Sequence, residues 1–170
     1  MPADFALLAP VPLVHLESAQ RVAERVPYVA FGSMKWEFFQ EVDAARRSQP
    51  VHALLYPSHD EDRAEFSYKV GWLGWYIGSS SDQSEKHADE KAGRRPPTAI
   101  GDERDTPSFW AVFWRVARLT RIPPQKWVEI RALNNYRTGD GRENAPPRGP
   151  ERIRIPFGFE FPPRPEPNRY

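Results

Sequence analysis

The side chains able to do chemistry in this sequence fall into two groups: aromatic rings that can stack and cations that can hold phosphate. Tyr68 to Gly78 reads YKVGWLGWYIG and Phe109 to Ile122 reads FWAVFWRVARLTRI, and together they carry four of the six tryptophans. An indole face accepts a nucleobase or a methylated cation by stacking. Trp72, Trp75, Tyr76, Trp110 and Trp114 are therefore candidate walls of an aromatic cage, with Trp36 as a sixth. The plain reading of any single tryptophan is core. Six exceed what packing a chain of 170 residues usually requires, which assigns at least one or two to a ligand. The cations are Lys35, Arg95 and Arg115. Lys35 follows Gly32-Ser33, where a helix start would offer free N–H groups, and Ser33 joins it as a phosphate contact. Arg95 lies in Arg94-Arg95-Pro96-Pro97, the most pointed feature of a mixed-charge loop that is solvated by default.

Catalytic and metal sets are weaker. His15, His52, His59 and His87 have no metal-like spacing, and nothing converges on His59-Asp60. Ser58 and His59 are adjacent, so in an extended chain their side chains point apart. No phosphate-binding glycine loop, zinc signature or nucleophile elbow is present. With no cysteine, thiolate ligands, cysteine nucleophiles and disulfides are excluded, which fits a cytoplasmic setting. The expectation is a binding module with no catalytic residue, no cofactor and no metal.

Composition bounds the rest. A length of 170 suits one domain with a real core. Hydrophobic residues are only 39%, but aromatics at 13% compensate because each buries a large area. Lys and Arg number 24 against 23 acids, so a uniformly basic nucleic-acid surface is not indicated, although a local basic patch is compatible. No apolar run approaches a membrane span, and Pro10 and Pro12 break the N-terminal stretch, which has no basic leader region.

The elements that must position these residues read as follows. Residues 1–16 are an irregular or extended lead-in. Leu16, Ala19, Val22, Ala23 and Val26 recur at helical spacing and predict a helix over Glu17–Arg25. A short apolar segment, Tyr28–Phe31, precedes a second helix opened by Gly32-Ser33, with Met34, Phe38, Val42 and Ala45 as its buried stripe. Val51–Tyr56 is a strand, and Phe66–Gly78 a long one. Gly71, Gly74 and Gly78 mark bends, a bulge or a close approach in it. Ser79–Pro107 reads as a long loop, Phe109–Ile122 as the second aromatic strand, Trp127–Leu133 as a short turn or strand, and Asn134–Pro150 as another loop. Ile153–Phe161 alternates like a final strand. Both faces of both aromatic strands are largely apolar, as in a barrel wall packed inside and out. Two early helices and four or five strands predict an α+β fold with a mostly antiparallel, closed or nearly closed sheet.

The order Gly32-Ser33-Met34-Lys35-Trp36-Glu37, then Tyr56-Pro57-Ser58, a glycine-interrupted aromatic strand, Arg95-Pro96-Pro97 and the Trp110-to-Val116 strand resembles the PUA-like small-barrel superfamily. Its EVE and ASCH domain branches are the nearest in pattern, and uncharacterised bacterial proteins of this length are also similar. The resemblance covers roughly residues 28–160. In the ASCH pattern Gly-x-Lys-x-x-Glu-x-Arg the spacing of Gly32, Lys35 and Glu37 is shifted, and Phe39 stands where an arginine is expected. The resemblance implies a small β-barrel flanked by two or three helices, with a single domain over 1–161 and an extended, exposed Pro-rich tail over 162–170. It also implies a mouth that binds RNA or a flipped, modified base, which makes nucleic acid (RNA or modified DNA) the expected partner and excludes a membrane. An alternative is a small ASCH-like hydrolase or ribonuclease with a Lys/carboxylate pair, Lys35 with Glu37 or Lys69 with Glu65. A third is a protein or small-ligand interaction domain on the same aromatic surface.

Overall fold

The computed structural model describes residues 3–136 and 149–166. The run FALLAPV is apolar throughout and forms strand β1, Phe5–Val11. A strand without polar alternation needs cover on both faces. Phe5, Leu7, Ala9 and Val11 enter one core cluster, and Ala6 and Leu8 enter another on the opposite face. Of the irregular or extended lead-in expected over residues 1–16, the extended alternative holds for Phe5–Val11, while Leu13 already begins a helix. Helix α1 follows directly, Leu13–Ala23, and buries the predicted Leu16, Ala19 and Val22 stripe, although it starts four residues before the expected Glu17.

Tyr28–Ser33 is strand β2 and Trp36–Arg46 is helix α2. Gly32 and Ser33 therefore end a strand and do not open a helix. Ser33 Oγ still accepts a hydrogen bond from Lys35 N at 3.0 Å, which turns the chain into α2. The buried residues of α2 are Phe39 and Val42, while Met34, expected in that stripe, precedes the helix and is 58% exposed. Val51–Pro57 forms β3, as the apolar run predicts.

The long aromatic strand is broken. Ala64–Phe66 is a 3-10 turn, Lys69–Val70 is a short strand β4, and Trp72–Ser80 (β5) joins the main sheet. The break falls at Gly71, where a Cβ would lie 2.6 Å from the Trp127 ring. The β5–β6 register shifts between Leu73 and Trp75, around Gly74, and between Tyr76 and Gly78, and Gly78 takes φ 134°. The glycines thus accompany a break and two irregularities of pairing, as their placement in the sequence suggested.

Helix α3, Gln83–Lys91, lies inside the stretch expected to be a loop. Asp82 caps it by accepting the Glu85 N–H. The signal was present as Asp-x-x-Glu, but the helix has almost no apolar stripe to announce it. Val112–Arg121 is β6, Val128–Glu129 is β7, and Glu151–Arg154 is β8, which ends well before the expected Phe161.

The described residues form an α+β fold: three helices, a mixed six-stranded sheet ordered β2-β6-β5-β3-β1-β8, and a two-stranded sheet of β4 and β7. Among them β1 and β3 are the only neighbours in the large sheet that run parallel. Among the described residues no ladder joins β2 to β8. One face lies beneath α1 and α2 and holds Trp72, Tyr76 and Trp114. The other is covered by β4, the Ile130–Leu133 turn and the C-terminal segment, with Leu54, Tyr56 and Leu73 at its centre. The start of the proline-rich tail packs down and is not wholly exposed: Trp75 Nε1 donates to Pro162 O at 2.8 Å, and Phe161 lies 4.4 Å from the His52 ring. No helix among the described residues is long and apolar enough to cross a membrane.

Both rims of the sheet carry cover. On β2, Ala30 N donates to Arg94 O at 2.8 Å, and Ala30 O accepts from Arg95 Nη1 at 2.7 Å. On β8, Arg154 N donates to Asn134 O and Tyr136 N to Arg152 O.

Candidate functional site

A cavity of about 380 Å³ opens where the end of β1 (Ala9, Val11) meets the end of β2 (Phe31, Gly32, Ser33). These strands are not neighbours in the ladder, so the sheet curls far enough to bring them to one space. The size lies within the roughly 300–1,000 Å³ typical of small-ligand clefts.

Two indoles line it, Trp110 partly exposed and Trp114 only 2% exposed. Trp114 is paired with Phe31 across the β2–β6 ladder, their rings are 4.9 Å apart, and Phe39 stacks on Trp114 at 5.6 Å and 16°. That contact is set by α2, so the indole cannot turn away. Trp110 lies flat over Gly32, where an added Cβ would fall 2.2 Å from its ring. Its Nε1 donates to Asp105 Oδ1 at 2.7 Å, and its carbonyl accepts from the buried Lys86 Nζ at 2.7 Å. Gly32→Ala is therefore expected to push Trp110 out of place and destabilise the fold by about 1–3 kcal/mol. Chemical unfolding followed by tryptophan emission would read both effects, with a red-shifted native spectrum marking the displaced indole.

The polar wall is built from distant segments. Arg95 is 2% exposed and forms an ion pair with Asp105 while its Nη1 holds Ala30 O. Burial lowers the Arg95 pKa from its ordinary value, and Asp105 opposes that. His15, in the first turns of α1, points Nε2 at Asp105 Oδ2 (3.4 Å) and Nδ1 at Thr98 Oγ1 (2.6 Å). Burial lowers the His15 pKa, with Arg95 adding to it and Asp105 opposing. The imidazole is thus neutral at neutral pH. The carboxylate then calls for the proton on Nε2, and Nδ1 accepts the Thr98 hydroxyl. Ser58, Lys35, Met34 and Pro150 complete the rim. Lys35 is exposed and pairs with no carboxylate among the described residues.

Five residues singled out in the sequence thus meet here: Ser33, Lys35, Arg95, Trp110 and Trp114. The others lie elsewhere. Trp72 and Tyr76 are fully buried core, and Trp75 sits on the opposite face against His52 and Phe161. Strand β5 therefore does not edge this cavity. Trp36 is 42% exposed and lines a separate shallow depression with Gln40 and Asp43. Arg115 holds Asp89 at 2.9 Å and lies over the Tyr28 ring. Arg95, expected to grip phosphate, is spent on Asp105 and Ala30. Lys35 reaches the cavity, but Glu37, Lys69 and Glu65 do not line it, and Lys69 pairs in register with Glu129. His15 and Asp105 were not singled out as a site: each reads as an ordinary residue, and only the fold joins positions ninety apart in the chain.

Against known proteins, the chain matches no family model, no curated protein and no solved structure.

Proposed function

We propose that this protein is a non-catalytic nucleic-acid-binding module that takes a flat base into the cavity between the ends of β1 and β2. The observation that carries the reading is the juxtaposition of Trp114 and Trp110 with a short set of polar groups in one space, beside an uncommitted lysine. Stacking on an indole contributes roughly 1–3 kcal/mol per base. The volume accepts a nucleobase with part of its sugar, and Lys35 stands where a phosphate would emerge. The resemblance to PUA-like barrels of the EVE and ASCH type supports the same reading. So does the curl that brings β1 and β2 to a common cavity without a ladder between them. In this reading the occupant is an extruded base of RNA or modified DNA, and the protein supplies a rigid mouth.

Titration with single-stranded oligonucleotides is expected to quench tryptophan emission. Lys35→Ala should weaken binding across sequences and lower the slope of log affinity against log salt by about one. Absence of binding at low salt, or a slope that Lys35→Ala leaves unchanged, overturns the proposal.

One observation favours a second reading, a small hydrolase. Neutral His15 bridges the Thr98 hydroxyl and the Asp105 carboxylate, an arrangement that can activate a hydroxyl or a water. It predicts cleavage of bound nucleic acid or of an acylated base, abolished by His15→Ala while binding persists. Products identical to substrate after prolonged incubation leave the binding module standing.

A further inference from the structure

Asp105 uses its two oxygens unequally. Oδ1 accepts from the Arg95 guanidinium and from Trp110 Nε1. Oδ2 takes only a long, weak contact from His15 Nε2 at 3.4 Å, which leaves its acceptor capacity largely unused. Among the described residues it has no other partner, while the side chain keeps 11% of its surface accessible and lines the cavity. A carboxylate accepts hydrogen bonds and never donates them. The cavity therefore presents one under-used anionic acceptor beside its aromatic wall.

Charge narrows what that acceptor suits. Arg95 already balances Asp105 inside the wall, and His15 is neutral, so the interior carries no net charge for a cation to cancel. A neutral planar ring with an N–H to give is the better match. From these contacts we infer that the cavity selects a heteroaromatic base bearing an exocyclic amino group, directed at Asp105 Oδ2, over the oxo analogue of the same shape. The inference rests on the stacking pocket proposed above and names which class of base it takes.

The discrimination comes more from rejection than from attraction. An amino group pointed at Oδ2 makes a charge-assisted hydrogen bond. An oxo group in the same place sets its lone pairs against a carboxylate oxygen, with both desolvated. Turning the ring to offer its own N–H does not relieve this. In uracil that N–H is flanked by two carbonyls, and in hypoxanthine by one, which again confront the carboxylate. Trp110 matters twice, because the Oδ1 bond that holds the indole in place also fixes the plane of the carboxylate.

The test is calorimetric titration of the full chain with two matched pairs, cytidine against uridine and adenosine against inosine. Each amino nucleoside is expected to bind about tenfold or more tightly than its oxo partner. N4,N4-dimethylcytidine, which keeps the ring and loses the donor, should forfeit the advantage. Asp105→Asn preserves the shape of the side chain, and in it the preference should shrink to less than about threefold. If that variant does not fold, the dimethyl analogue on the natural protein decides the point. Equal binding within the pairs, or full affinity for the dimethyl analogue, overturns the amino preference and leaves the stacking pocket intact. Failure of every nucleoside and oligonucleotide to bind removes the pocket reading, and this inference with it.

Discussion

Asp105→Ala is expected to destabilise the protein by roughly 3–5 kcal/mol, because it strands the buried guanidinium of Arg95. The ion pair joins two loop positions ten residues apart, and Arg95 is 2% exposed with the Phe113 ring beneath it. Arg95 Nε is already buried without a hydrogen-bond partner among the described residues, so the guanidinium has little else to fall back on. The same substitution frees Trp110 Nε1 and removes the anionic neighbour of His15. A charge-conserving swap of partners would not repair this, since the wall is shaped around one fork and one carboxylate. Removing both charges is a different matter. Arg95→Met combined with Asp105→Leu should recover more than half of the single-mutant loss, because no buried charge is left unpaired. Urea unfolding of the two singles and the double supplies the cycle. If the double is as unstable as Asp105→Ala alone, desolvated charge is not the cause of the loss.

Trp72→Ala should cost a similar amount, roughly 3–5 kcal/mol, and for an unrelated reason. Trp72 is completely buried where β5 leaves its break, with Trp127 5.2 Å away and Arg121 over its ring. Truncation leaves a cavity that two strands and a bulky neighbour cannot fill. Its Nε1 has no hydrogen-bond partner among the described residues, so Trp72→Phe should cost far less than alanine: most of the packing ring is kept and an unsatisfied donor is removed. Trp110→Ala provides the contrast. That indole is partly exposed and borders the cavity, so its loss should spare most of the stability while removing the quenching signal of a bound base. Thermal unfolding of the three variants beside oligonucleotide titration separates core from wall.

What could be read from the sequence follows from where information is local. Val51–Pro57 and Val112–Arg121 were visible because their residues are apolar on both faces, and the glycines of β5 correctly flagged a break and irregular pairing. The aromatic strands were treated as one wall. In the fold their tryptophans lie in the core (Trp72, and Trp114, which also borders the cavity), on the outer face (Trp75) and at the cavity (Trp110). Alternation along β5 and β6 does separate Trp72 and Tyr76 from Trp75 and keeps Val112, Trp114 and Val116 on one face; it fails across the break at Gly71, where Val70 joins the opposite cluster from Trp72. Helix α3 was hidden by its charge, and β1 by its prolines. Most of the site was legible as residue types, namely Ser33, Lys35, Arg95 and the two indoles. The rest, His15 and Asp105, depends on the loop after α3 folding back across α1, where Thr98 N donates to Ser18 Oγ at 3.0 Å. That contact spans eighty residues and leaves no trace in spacing.

The Arg94–Arg95 cover on Ala30 also has a consequence at the edge of the sheet. A strand at the rim of a sheet ordinarily templates further strands, the route to domain exchange and fibrillar association. Here the two outward-facing groups of Ala30 are taken by the same short segment that walls the cavity. The arginine that balances Asp105 thus also occupies an acceptor on the rim of β2. Its loss would free Ala30 O while the Arg94 carbonyl keeps Ala30 N, so aggregation of Arg95 variants would be expected to reflect the edge as well as the lowered stability.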